Sequence, residues 1–323
     1  MNVRRLIPAA AATAVTALGL GTLSACADDS AGAAQTDKFD VVASFYPMTF
    51  LAERIGGSHV HVTNLTSPGQ EPHDLELSPR QIVRLQESDA VLYLKGLQPS
   101  VDDAVAQSGL RTRVDAASLT SLEKHGTEVG GHAAEHDSGE HASGGRGEEG
   151  GKDPHIWLDP VKYAEVAKGV GAAFEKADPD HAADYRKNTA ALVKQLDDLN
   201  TRFRDGLAGT RTKVFITTHA AFGYLAERYG LTEEAINGLD PESEPSAARV
   251  RDLEKLARAD GVSTVFYETL VSDETAKTVA QDAHLKTDVL DPIEGITDKS
   301  RGRDYFSVQE ANLKALRTAL GTK

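Results

Sequence analysis

The chain is short of cysteine, of basic charge and of long apolar runs, and each shortage closes off a class of protein. Among its 323 residues Cys26 is the only cysteine, so no internal disulfide can form. The formal charge is −14 and no basic stripe breaks it, which argues against nucleic acid, because contact with a phosphate backbone wants clustered lysine and arginine. The most continuous apolar stretch lies within the first 25 residues and is too short and mild for a membrane span. Two catalytic signatures are missing as well, HExxH and GxSxG. What is present, 40% apolar and 26% charged residues, describes a soluble globular protein long enough for two domains with their own cores.

The opening MNVRRLIPAAAATAVTALGLGTLSAC has two arginines, an alanine-rich run, then Leu23, Ser24 and Ala25 ahead of Cys26. This is the layout of an export signal over residues 1–25 with small residues at the cut. A lone cysteine at that place resembles a bacterial lipobox, whose thiol is lipidated and becomes the new N-terminus. Cleavage would remove Arg4 and Arg5 and no acidic residue, leaving a more acidic chain held by lipid on the outer face of the cytoplasmic membrane. Residues 26–38 are small and polar and read as a flexible tether.

From there strand-like runs at Asp40–Phe45, His59–Leu65 and Ala90–Leu94 alternate with helix-like stretches near Thr49–Ile55, Ser78–Glu87 and Asp102–Ser108. The rhythm returns with strands at Lys213–Thr217, Val262–Tyr267 and Thr287–Leu290 and helices at Ala220–Tyr229, Ala247–Ala259 and Asp273–Ala283. Such alternation predicts an α/β protein of two lobes, residues 39–177 and 210–323, each a mainly parallel sheet flanked by helices. Between them, in residues 178–209, Tyr185, Leu192, Leu196, Leu199, Phe203 and Leu207 fall on one face of a helix, a stiff strut of about 40 Å. Residues 125–152 are glycine, acid and histidine with almost no aliphatic side chains. They cannot bury enough surface to offset ordering entropy, which predicts a loop without a packed core.

The eleven histidines sort by setting. His125, His132, His136 and His141 sit in that loop among acids, where imidazoles on a flexible chain collect zinc, copper or nickel weakly. His73 follows the second strand in SPGQEPHDLELSP, His155 is bracketed by prolines in DPHIWLDP, and His219 directly follows the strand VFITT. Ligands of open α/β sheets bind at the carboxyl ends of strands, so these three can reach one crevice. A fourth donor is expected from TDVLDPIEGIT, where Glu294 or Asp291 could close a tetrahedral site, with water as the remaining option. Glu294 is preferred because it can reach inward while Asp291 caps the turn before Pro292. Three histidines with one carboxylate suit Zn²⁺, whereas Mn²⁺ would prefer more oxygen donors. Glu71 reads as a surface acid, with a place over the site as the alternative. Glu268, ending the strand VFYE, could orient a ligand histidine. His59, His61, His181 and His284 read as ordinary residues.

The segments FYPMTFLAERIGG, NLTSPGQEPHDLELSPRQIVRLQESDAVLYL, DPHIWLDP, TTHAAFGYLAERYGL and VLDPIEGIT, in this order and interrupted by a histidine-rich loop, resemble the zinc-receptor branch of the metal-binding solute-binding proteins of ABC importers. The resemblance runs from about Phe39 to the C-terminus. It implies a two-lobed receptor joined by one long helix, with transported Zn²⁺ between the lobes, ligands at His73, His155 and His219, and delivery to a membrane permease with its cytoplasmic ATPase. It also implies no catalysis, no nucleic acid and a monomer. Two rivals stand beside it: a manganese or iron receptor or adhesin of the same family, and a secreted zinc hydrolase, because three histidines and an open position also describe catalytic zinc.

Overall fold

The computed structural model describes residues 38–125 and 152–322. The signal segment 1–25, Cys26, nearly all of the tether, and His132, His136 and His141 lie outside the described residues. Two four-stranded parallel sheets organise the rest. In the first, β1 (Phe39–Ala43), β2 (Val60–Asn64), β3 (Ala90–Tyr93) and β4 (Thr112–Asp115) take the order β2-β1-β3-β4. In the second, β5 (Val214–Thr217), β6 (Thr232–Ala235), β7 (Thr264–Tyr267) and β8 (Lys286–Val289) repeat it as β6-β5-β7-β8. Each order reverses beside its first strand, and a crevice opens past the carboxyl ends of the strands at that reversal. His219 and Glu268 follow β5 and β7, the pair flanking the reversal in the second sheet.

Local chemistry explains the crossover helices. In the first lobe α1 (Tyr46–Gly56) opens with proline in its first turn, and α2 (Pro79–Glu87) is closed by a Ser78–Gln81 capping box with Pro79 at the first helical position. The lobe also contains α3 (Pro99–Gln107). The second lobe uses α6 (Gly223–Tyr229), α7 (Ala247–Ala259), α8 (Glu274–Ala283) and α9 (Tyr305–Leu320). Between the lobes α4 (Pro160–Ala177), capped by the Asp159 side chain, turns through Pro179–His181 into α5 (Ala182–Leu207), 26 residues long. The predicted stripe on α5 is buried as expected. Close approach of the two helices depends on Gly171, where a Cβ would come within 2.3 Å of Thr189 Oγ1.

Several boundaries differ from the sequence reading. The long helix starts at Ala182 because Pro179–His181 form a tighter turn. α6 begins at Gly223, not Ala220, since Ala220–Phe222 carry the chain through the turn that presents His219. Strands β4 and β6, with the polar sequences TRVD and TEEA, bury one residue each. As edge strands they lack the apolar run that marks β1 or β3, and the sequence pattern missed them. α4 and α9 were likewise not distinguished.

The largest apolar cluster runs through both lobes, taking in Phe45, Trp157, Phe203, Phe266, Leu290 and Tyr305. Polar ties cross the same junction: Tyr305 donates to the Trp157 carbonyl at 2.6 Å, and Arg228 of α6 forks onto Asp159 at 2.6 and 2.9 Å. A shared, close-packed core resists shear, so the lobes can move only modestly about α5. No helix among the described residues is long and apolar enough to cross a membrane.

Candidate metal centre

Four side chains from four separate segments meet in the crevice. His73 stands in a tight turn after β2, where Leu75 N–H donates to the Pro72 carbonyl. His155 immediately precedes a single helical turn, Ile156–Leu158, whose three apolar side chains are buried. His219 leaves β5 directly, and Glu294 follows a turn after β8. One ligand atom from each lies within 4.8 Å of all the others. Their geometry is specific: the Nε2 atoms of His73, His155 and His219 lie 3.4, 3.5 and 3.7 Å from the same oxygen, Glu294 Oε1. His73 is the one slightly open member, 12% exposed at its side chain, while the other three are enclosed. Among the described residues, Nε2 of His155, Nε2 of His219 and Oε2 of Glu294 have no hydrogen-bond partner. Buried polar atoms are seldom left so.

Behind two of the rings stands a buried carboxylate. His155 Nδ1 lies 2.7 Å from Asp153 Oδ1, and His219 Nδ1 lies 2.8 Å from Glu268 Oε1, which also accepts from Thr218 Oγ1. A carboxylate at Nδ1 fixes the tautomer and aims Nε2 into the site. Burial by itself would lower the His155 imidazole, but the Asp153 carboxylate outweighs it and pushes the group up to about 9. His219 is also raised well above the ordinary histidine value, burial being overcome by the charge of Glu268 and then by Glu294. Burial would raise Glu294, yet the three histidines hold it well below the usual carboxylate range. Positive charge is therefore drawn to the site, as protons or as a cation.

The turn Asp291–Ile293 places the two candidate acids differently. Asp291 spends Oδ1 on the Ile293 N–H at 2.8 Å and Oδ2 on Thr269 Oγ1 at 3.1 Å, and its backbone pairs with Asn312 in both directions. It caps the turn, and Glu294 points in. Ile293 has φ +60, a conformation that a β-branched residue rarely accepts and that costs on the order of 1–3 kcal/mol. Burial of its side chain and the Trp157 indole N–H on the Pro292 carbonyl at 2.7 Å hold it there.

The other histidines separate as follows. His125 leaves the company the sequence gave it: its ring packs edge-on against Tyr224 and bonds Asp153 and Glu227. His59 and His181 stack on each other, each beside its own aspartate, and His61 pairs with Asp40. His284 ends α8 in a left-handed cap. Glu71 is half-buried, correcting the surface reading. Its carboxyl is pushed up to about 8, by burial first and by the charge of Glu294 second. Asp153 was missed altogether, although its place two residues before His155 in DPH was the available signal. Replacing Asp153 with asparagine should lower the affinity of the tight site about 10- to 100-fold, the usual cost of losing a carboxylate behind a ligating imidazole. Competition with a fluorescent chelator measures it, and an unchanged constant would remove Asp153 from that role.

Residues 41–319 match the family model described as ZnuA, zinc-uptake complex component A, periplasmic. The chain is 33% identical over 286 residues to the zinc-binding lipoprotein AdcA of Streptococcus pneumoniae, covering 87% of this chain but 55% of that protein, so it spans about half the relative's length. It is 33% identical over 310 residues to the high-affinity zinc uptake system protein ZnuA of Bacillus subtilis, covering 93% of this chain and 94% of that one. Among solved structures, the Zn(II)-bound ZnuA-like domain of pneumococcal AdcA superposes with a TM-score of 0.70 at 30% identity, covering 88% and 99% of the two chains.

Proposed function

Because the chain belongs to the family of periplasmic zinc-uptake component A proteins, we propose that it is an extracytoplasmic receptor that captures Zn²⁺ between its lobes and delivers it to an ABC importer. The observation that carries the reading is the convergence of three imidazole Nε2 atoms on one buried glutamate oxygen, with carboxylates behind two of the rings. Imidazole and carboxylate donors in a tetrahedral set suit zinc. On this reading His73, His155, His219 and Glu294 are the ligands. The incoming ion replaces the protons that the site draws to His155 and His219, and the charges of Glu294, Asp153 and Glu268 balance it.

Capture does not require a large hinge motion, since the core is continuous across the lobes. His73, the most open ligand, is the first to meet the ion, and the buried pair His155 and His219 complete the shell. Release to a permease with its ATPase needs a docked state that favours a metal-poor arrangement, because a partner shifts an equilibrium only by its differential affinity. Lipidation at Cys26 would keep the receptor at the membrane face. Residues 126–151 would supply the collecting imidazoles His132, His136 and His141. The protein acts as a monomer without catalysis, and a chelator-sensitive esterase or peptidase activity of the purified protein would overturn that part.

Competitive titration tests the metal: Zn²⁺ is expected to bind far more tightly than Mn²⁺, and the reverse order would sink the assignment. Deleting residues 126–151 should keep the tight equivalent of Zn²⁺ by calorimetry and lower the number of weak ones. Loss of the tight equivalent would show the segment to be part of the site.

A further inference from the structure

A second group of donors lies behind His155. Glu123 and His125, on the segment that follows β4, face Glu227 of α6, and one ligand atom from each falls within 4.8 Å of the others. The three therefore come from both lobes. His125 Nε2 lies 3.0 Å from Glu227 Oε2, and its Nδ1 lies 3.1 Å from Asp153 Oδ2. Asp153 is fully enclosed, and its other oxygen is the one that holds His155 Nδ1 at 2.7 Å. A single buried carboxylate thus turns two imidazoles, each presenting Nε2 to a glutamate of its own. That is the arrangement of a ligating histidine backed by a carboxylate, made twice from one aspartate.

The outer ring is seated by its neighbours. Gly223 opens α6 against it, and a Cβ there would come within 2.3 Å of His125 Cβ. Tyr224 meets the ring edge-on at 4.5 Å, and its hydroxyl accepts from Glu123 N–H and donates to the Asp153 carbonyl, both at 2.8 Å. The backbone carrying Glu123 and the backbone carrying Asp153 are so locked to the helix that carries Glu227.

We propose that Glu123, His125 and Glu227 form a second, weaker site for a borderline divalent cation such as Zn²⁺, bridging the two lobes and sharing Asp153 with the tight site. The proposal goes beyond zinc capture at the His73 group and rests on it only for the shared carboxylate. One imidazole and two carboxylates provide three donors of the type zinc accepts, and water completes the shell. Weakness follows from the surroundings. The side chains of Glu227 and Glu123 are 59% and 42% exposed, so ordering them costs entropy. In addition, Lys162 Nζ holds Glu123 Oε1 at 2.9 Å, so an arriving cation meets a like charge and must take the other oxygen or displace the ammonium. A site that binds briefly, one aspartate away from a site that binds tightly, suits a staging post.

The test uses the full chain carrying His132→Ala, His136→Ala and His141→Ala, titrated with ZnCl₂ by calorimetry. Two equivalents are expected, one tight and one weak. Adding Glu227→Gln, an exposed and conservative change, should weaken the second equivalent by about tenfold or more and leave the first as it was. Absence of a second equivalent in the triple variant, or a second equivalent indifferent to Glu227→Gln, overturns the proposal. Loss of the first equivalent alone would count against the ligand set of the tight site, and the response of the second to Glu227→Gln would still be read separately.

Discussion

Replacing His155 or His219 with alanine is expected to weaken zinc binding by about a hundredfold to nearly a thousandfold. Structural zinc sites bind with roughly 10–16 kcal/mol, which divided over four donors gives about 2.5–4 kcal/mol each, and 1.4 kcal/mol is a factor of ten. The two positions are the sharpest tests because each ring is enclosed and each Nε2 is unpartnered among the described residues. Removing the ring also takes an imidazole partner from a buried carboxylate, from Asp153, which keeps His125, or from Glu268, which keeps only the Thr218 hydroxyl. An unpaired buried charge is costly, so the metal-free variants should melt earlier, and affinity must be compared where circular dichroism shows them folded. His61→Ala, at an exposed pair with Asp40, provides the control that should leave the constant unchanged. A competition titration in which His155→Ala or His219→Ala binds zinc like the parent would remove that residue from the ligand set.

The second large effect is on pH. Folding raises His155 to about 9 and raises His219 well above the ordinary value, which is about 6.5. The folded chain therefore binds these protons more strongly than the unfolded chain does. Their contribution to the stability of the metal-free fold is full below the unfolded value and is lost as pH rises through about 9 for His155. On the proposed ligand set zinc takes both Nε2 atoms, so at neutral pH it would expel what the fold retains. Glu294 is held low and contributes no proton; its own stabilising share is lost only as pH falls through that depressed value. Binding at pH 7 should thus release about two protons, and the apparent affinity should fall roughly a hundredfold per pH unit on going acidic. Calorimetry in buffers of different ionisation heat counts the protons directly. No release, or an affinity flat between pH 6 and 8, would mean that His155 and His219 are neutral in the metal-free protein.

Much of this was visible in one dimension. Alternating apolar runs announced β1, β3, β5 and β7, because a strand buried on both faces must be apolar throughout. The stripe from Tyr185 to Leu207 announced α5 by its helical spacing. His73, His155 and His219 stood out because each follows a strand or a proline-bounded turn, where an α/β sheet opens its crevice. The edge strands β4 and β6 were hidden, with one buried residue apiece and hence no periodic signal.

By itself the sequence determined the α/β architecture, the connecting helix and the residues able to ligate, since these depend on local periodicity and on what ends each element. Only the tertiary structure chose which of two acids three residues apart, Asp291 or Glu294, stands beside the three histidines. That choice turns on a left-handed Ile293 held by burial and by an indole bond from Trp157. Tertiary structure alone also drew His125 out of its histidine-rich company onto Asp153, back to back with His155. Direction at a site comes from contacts such as His73 with Glu294, 221 positions apart, and packing over that separation leaves no trace in the spacing of neighbouring residues.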